Sequence, residues 1–203
     1  MRTAHLERRR ERTTDLGDHA LQDLRYIRQT MERASSLTTF PGWGQVGIGV
    51  SALIAATVSA RVERLDRWLA VWLVEAAVAI AIGSASMAIK ARRLGQPLLT
   101  EPWRQFALSF SLPILAGVAL TSVFIRDHWA APIPGTWMLM YGVAIAVGGA
   151  FSVASVRVMG YAFMVLGVAT LLAPSAWHAA LLAVGFGGLH IIFGIRVARA
   201  HGG

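Results

Sequence analysis

The chain has 203 residues, of which 55% are hydrophobic and 15% charged, well below the charged share of about 25% in a soluble domain. Its net charge of +8 comes from 18 Arg and one Lys. Most of them border apolar runs, which argues for a topological role and against nucleic-acid binding. Cysteine is absent, which excludes disulfides, thiolate chemistry and cysteine-held metal.

Residues 1–14 read as a mobile basic tail carrying Arg8, Arg9, Arg10 and Arg12. No apolar run of signal-peptide type precedes the first span, so that span is expected to direct insertion itself. Residues 15–40 form the most informative polar stretch. Ala20, Leu24, Ile27, Met31 and Ala34 recur at spacings of four and three, which is one face of an amphipathic helix. Asp15 or Asp18 can cap its start, and Pro41-Gly42 ends it. The opposite face mixes Asp23, Arg25, Arg28, Glu32 and Arg33. A helix lying flat on lipid favours a Lys/Arg-dominated polar face, so this near-balance points to packing on protein. Leu24, Ile27 and Met31 are then the candidate docking face. Asp15, His19 and Asp23 share one helical edge, but zinc sites recruit three or four ligands in fixed geometry. A solvated edge is expected there, and no metal.

Residues 41–203 read as a six-span transmembrane domain. Its spans are predicted at 43–60, 68–89, 106–125, 136–155, 158–173 and 176–195. A helix rises 1.5 Å per residue, so the 22 residues of the second span reach about 33 Å, enough for a bilayer core of about 30 Å. Small residues recur four apart on three spans: Ser51, Ala55 and Ser59; Ala77, Ala81 and Ala85; Gly142, Ala146, Ala150 and Ala154. Each edge predicts close helix contact. Pro113 predicts a kink in the third span, Arg157 marks a tight turn, and the seven Trp fit interfacial belts. With the N-terminus inside, 15 Lys/Arg fall on the inner side and four on the outer, which places both termini in the cytoplasm. Pro41-Gly42-Trp43 before span one and Pro134-Gly135-Thr136-Trp137 before span four suggest an inverted three-plus-three repeat.

Glu75 and His190 are the candidate ionisable residues deep inside spans. A charge there is costly and must face the bundle or a wet cavity, so both are candidates for an ion or proton site. Glu75 sits about 10 Å from the outer edge and His190 about 8 Å from the inner edge, too far apart in depth for a direct pair. Gly185, Gly187 and Gly188 follow no strand, so they read as helix packing and not as a phosphate loop. No nucleophile elbow, Ser/His/Asp set or metalloprotease motif occurs, so no catalytic residue is assigned. No pattern names a cofactor.

The segment Tyr26-Ile27-Arg28-Gln29-Thr30-Met31-Glu32-Arg33-Ala34, followed by Pro41-Gly42-Trp43-Gly44, resembles a group of bacterial inner-membrane proteins with a polar helical prefix before several spans. The resemblance implies placement in the bacterial cytoplasmic membrane, and no activity. The expected fold is all-α: a six-helix transmembrane bundle preceded by a cytoplasmic amphipathic helix. The expected function is a non-enzymatic interaction, assembly or sensory module. Its partners are the lipid bilayer and a protein bound through residues 15–37, with no nucleic acid. The alternative is a small transporter or channel using Glu75.

Overall fold

The computed structural model describes residues 23, 24, 26, 27, 41–93, 95, 97, 101–149 and 154–201. These are all-helical, with no strand among them. The helices are α1 (Gly42–Ser59), α2 (Leu65–Arg93), α3 (Glu101–Arg126), α4 (Ile133–Gly148) and α5 (Ala154–Leu172). The final span, Ser175–Ala200, is composite. A 3-10 turn (Ser175–Trp177) leads into α6 (His178–Leu182), a π-helix (Ala183–Leu189) and α7 (His190–His201). Five helices are long and apolar enough to cross a membrane; α4 is apolar but shorter, at 16 residues. The basic tail and most of the amphipathic prefix, Met31 included, lie outside the described residues. Asp23, Leu24, Tyr26 and Ile27 are helical and exposed.

Boundaries follow local chemistry. Asp66 lies in the first turn of α2, and Lys90, Arg92 and Arg93 lie in its last, each matching the helix dipole. At the end of α3, His128 takes a left-handed φ of 55°. The Trp129 amide bonds the Phe124 carbonyl at 2.8 Å, and the His128 amide bonds Ile125 O at 3.2 Å. That is a Schellman stop, and its usual apolar contact is the edge-on packing of Trp129 on Phe124. Two boundaries correct the sequence reading. Arg157 is not a turn but sits inside α5, and α4 ends at Gly148, short of the predicted 155. The pair Gly148-Gly149 explains that early end, because glycine has low helix propensity. α3 runs unbroken through Pro113. The Ser111 hydroxyl donates to Leu108 O at 2.9 Å in the turn beside it.

The helices pack as two trios. In one, α1 lies between α2 and the final span; in the other, α4 lies between α3 and α5. Glycine sets the two closest pairings. A methyl on Gly160 would stand 2.6 Å from Ala146 N, and one on Gly142 would stand 2.7 Å from Met164 N, so α4 and α5 meet backbone to backbone. Gly42 packs in the same way on Ala198 and Gly194, and Gly49 on Gly187 and Ile191. Every one of these pairs is antiparallel. The start of α1 and the end of the final span therefore share one end of the bundle. The trios join through a core of Met138, Met159, Phe163, Leu182, Trp72 and Ala56.

The small-residue edges divide. Ala55 and Ser59 are buried, and Gly142 is buried. Ala77, Ala81 and Ala85 are exposed, because α2 turns its Trp72–Glu75 side, not its alanine side, toward the bundle. The Trp reading is also corrected. Trp43, Trp129 and Trp177 are exposed as belt residues would be, but Trp72 is 4% exposed, and Trp68 stacks on Trp137 at 5.4 Å.

Candidate functional site

Among the described residues, two polar contacts that hold the sequence's ionisable candidates sit inside the bundle. The first joins α1 and α2. Glu75 is 8% exposed, and the Ser51 hydroxyl lies 2.9 Å from its Oε1. The same hydroxyl lies 2.9 Å from Ile48 O in its own helix. One hydroxyl carries one hydrogen, so it serves one acceptor at a time. A protonated Glu75 can donate to Ser51 while Ser51 donates to Ile48 O; an ionised Glu75 takes the Ser51 hydrogen itself. The site therefore has two self-consistent bonding states that differ by one proton.

The second contact joins α4 to the final span. His190 is 2% exposed. Its Nε2 lies 2.7 Å from the Tyr141 hydroxyl, and its Nδ1 lies 2.8 Å from Phe186 O. The backbone explains the second bond. His190 follows the π-helix, and its own amide bonds Gly187 O instead of the carbonyl four residues back. The imidazole takes up Phe186 O in that amide's place. A carbonyl only accepts, so Nδ1 carries the hydrogen; Nε2 of the neutral ring then accepts from Tyr141.

Aromatic rings separate the two contacts. Tyr141 packs on Phe163 at 4.9 Å and on Phe186 at 5.3 Å. Trp72, one turn before Glu75 on the same face of α2, packs on Phe186 at 5.8 Å. The indole Nε1 of Trp72 is buried and finds no hydrogen-bond partner among the described residues. Such an orphan donor is unusual in a folded interior. Glu75 and His190 are thus both buried, each with its own partner. Between α3 and α4, the Trp137 indole donates to Thr121 Oγ1 at 2.8 Å, and Thr121 donates to Gly117 O at 2.7 Å. No group of three metal-ligating side chains occurs among the described residues.

Of the candidate docking face, Leu24 is 62% exposed and Ile27 is 52% exposed; Met31 lies outside the described residues. Sequence reasoning missed Ser51, Trp72, Tyr141 and Phe186. Ser51 was visible only as a packing residue, and Trp72 only as one more tryptophan of a membrane protein. Tyr141 lies 49 residues from His190, and nothing in the spacing of the spans links the two.

No protein-family model matches this chain, nor does any curated protein or solved structure. Fold and site together define a multi-pass helical membrane protein with a buried carboxyl and a buried His–Tyr pair.

Proposed function

We propose that this is a non-enzymatic protein of the bacterial cytoplasmic membrane whose N-terminal helix docks a protein partner from the cytoplasmic side. One observation carries the reading. Leu24 and Ile27 belong to the apolar stripe of the prefix, yet both are more than half exposed, so the bundle does not cover them. An apolar stripe on an otherwise charged helix suits a helix-in-groove or helix-pair contact. Replacing Leu24→Asp together with Ile27→Asp is expected to abolish recovery of a cross-linked partner from native membranes while leaving insertion intact. Unchanged recovery would overturn the proposal.

The orientation has its own support. The end of the bundle that holds the start of α1 and the end of the final span carries Lys90, Arg92, Arg93, Arg104, Arg157, Arg196 and Arg199. The opposite end carries Arg61, Arg64, Arg67 and Arg126, offset by Glu63, Asp66 and Asp127. Two of those arginines are paired: Arg64 with Asp66 at 2.9 Å and Arg126 with Asp127 at 2.8 Å. The positive-inside rule assigns the Lys/Arg-rich end to the cytoplasm. Reporters fused before residue 1 and after residue 203 are expected to read as cytoplasmic, and opposite readings would refute this topology.

A second reading is favoured by Glu75. A carboxyl inside a span, held by one hydroxyl and able to bond with or without a proton, suits proton or cation passage. Trp72, whose indole donor finds no partner among the described residues, stands one turn away. Proteoliposomes are expected to pass a proton-coupled flux that Glu75→Gln reduces, since glutamine keeps the Ser51 contact and loses the titrating group. No flux above protein-free vesicles sinks this alternative.

A further inference from the structure

The two trios are held together differently from the helices inside each. Within a trio, glycines bring backbone against backbone: α4 against α5, and α1 against the final span. Across the boundary, Gly185 of the final span meets side chains, those of Met138, Leu166 and Phe163. The rest of that boundary is aromatic. Trp68, Phe186 and His190 on one side meet Trp137, Tyr141 and Phe163 on the other, with ring centroids 5.3 to 5.5 Å apart. Ring contacts of this kind lack the fixed register of interlocked backbones. The Glu75–Ser51 and Trp137–Thr121 bonds each lie within one trio, whereas Tyr141–His190 runs from one trio to the other.

The boundary also has a weak point in the backbone. The α3–α5 trio approaches the other chiefly through the final span, and the middle of that span is the π-helix Ala183–Leu189. Gly185, Gly187 and Gly188 make up three of its seven residues. Helices bend at π-bulges and at glycines. A methyl on Gly188 would meet nothing within 4 Å, so packing does not brace the chain at that point. The next residue after the π-helix is His190, whose ring holds Phe186 O behind it and the Tyr141 hydroxyl across the boundary. The flexible segment and the polar bond that closes the boundary are therefore adjacent in the chain.

We propose that the trios are two rigid bodies that part along this aromatic seam, with the π-helix as the hinge and the Tyr141–His190 bond as the latch. A few residues at a hinge absorb the rotation of a whole helical layer. The closed arrangement is the one described above; the open one separates Tyr141 from His190. The movement is independent of partner docking and of proton passage at Glu75.

The test uses spin labels on the full chain in detergent, with distances read by pulsed electron resonance. The chain has no cysteine, so two introduced cysteines carry the labels without background. Ile54 on α1 and Val165 on α5 are exposed and lie on different trios; Leu112 on α3 is exposed and shares a trio with Val165. One hydrogen bond is worth up to about tenfold in an equilibrium. Tyr141→Phe is expected to raise a second distance in the Ile54–Val165 pair by up to about that factor and to leave the Leu112–Val165 pair unchanged. Should that variant not fold, His190→Leu removes the same bond from the other side and is expected to act alike. Adding Gly188→Ala, which introduces no clash, stiffens the hinge and is expected to lower the second population about fivefold. An Ile54–Val165 distribution indifferent to loss of the latch would overturn the proposal. So would equal changes in both pairs, which mark general loosening, or a second population untouched by Gly188→Ala.

Discussion

His190 and Tyr141 show how a single missing backbone bond shapes a side-chain site. The π-helix turns the His190 amide away from Phe186 O, and the imidazole replaces it. That fixes the tautomer and leaves Nε2 dependent on one phenol. Tyr141→Phe keeps the ring packing and removes only that donor. It is expected to cost about 1–3 kcal/mol, the penalty for an unsatisfied buried acceptor, seen as a lower thermal midpoint in detergent. An unchanged midpoint would mean that the hydroxyl contributes nothing. His128 offers the opposite case. A non-glycine residue in the left-handed region costs about 1–2 kcal/mol, and glycine is the common occupant of a Schellman stop. His128→Gly is therefore expected to raise the midpoint, and a fall would indicate that the imidazole has a role the backbone does not reveal.

Helices pair here where glycine lets backbones touch, and that contrast can be measured within one chain. Gly160→Ala would drive a methyl to 2.6 Å from Ala146 N, against backbone that cannot yield, whereas a methyl on Gly188 meets nothing within 4 Å. The first change is expected to destabilise by about 1–3 kcal/mol, as overpacking does. The second is expected to be near neutral in the same unfolding assay; equal effects would refute the assigned interfaces. The same comparison explains what the sequence could and could not show. Run length and hydropathy are properties of one segment, so the spans could be read directly. Which face of a span turns inward depends on its neighbours. The edge Ala77, Ala81, Ala85 looks on paper like the edge Ser51, Ala55, Ser59, yet only the latter meets another helix. Glu75 was recognisable as a candidate because a carboxylate among apolar residues is anomalous by itself. Its partner Ser51 was not, because 24 residues separate them and serine is common in spans.

At the scale of the whole molecule, the suggested inverted repeat can be compared with the packing. Exchanging the first three helices for the last three preserves which helices are neighbours: α1 with α2 maps to α4 with α5, and α3 with α4 maps to the final span with α1. The glycine contacts do not follow that exchange. Those that bring backbone against backbone tie α4 to α5 but tie α1 to the final span, while on the exchanged pairs Gly44 and Gly148 meet only side chains, Ser86 and Phe106; a faithful repeat would place the backbone contacts on corresponding pairs. This asymmetry bears on how the chain is made. The α4–α5 hairpin can close as soon as it leaves the ribosome, but α1 meets its tightest neighbour only after the last segment has been synthesised. At 5–20 residues per second that delay is on the order of 10 s. Throughout it the bare glycine flank of α1 must be shielded by the insertion machinery or by lipid, which makes translation speed downstream of α1 a determinant of yield.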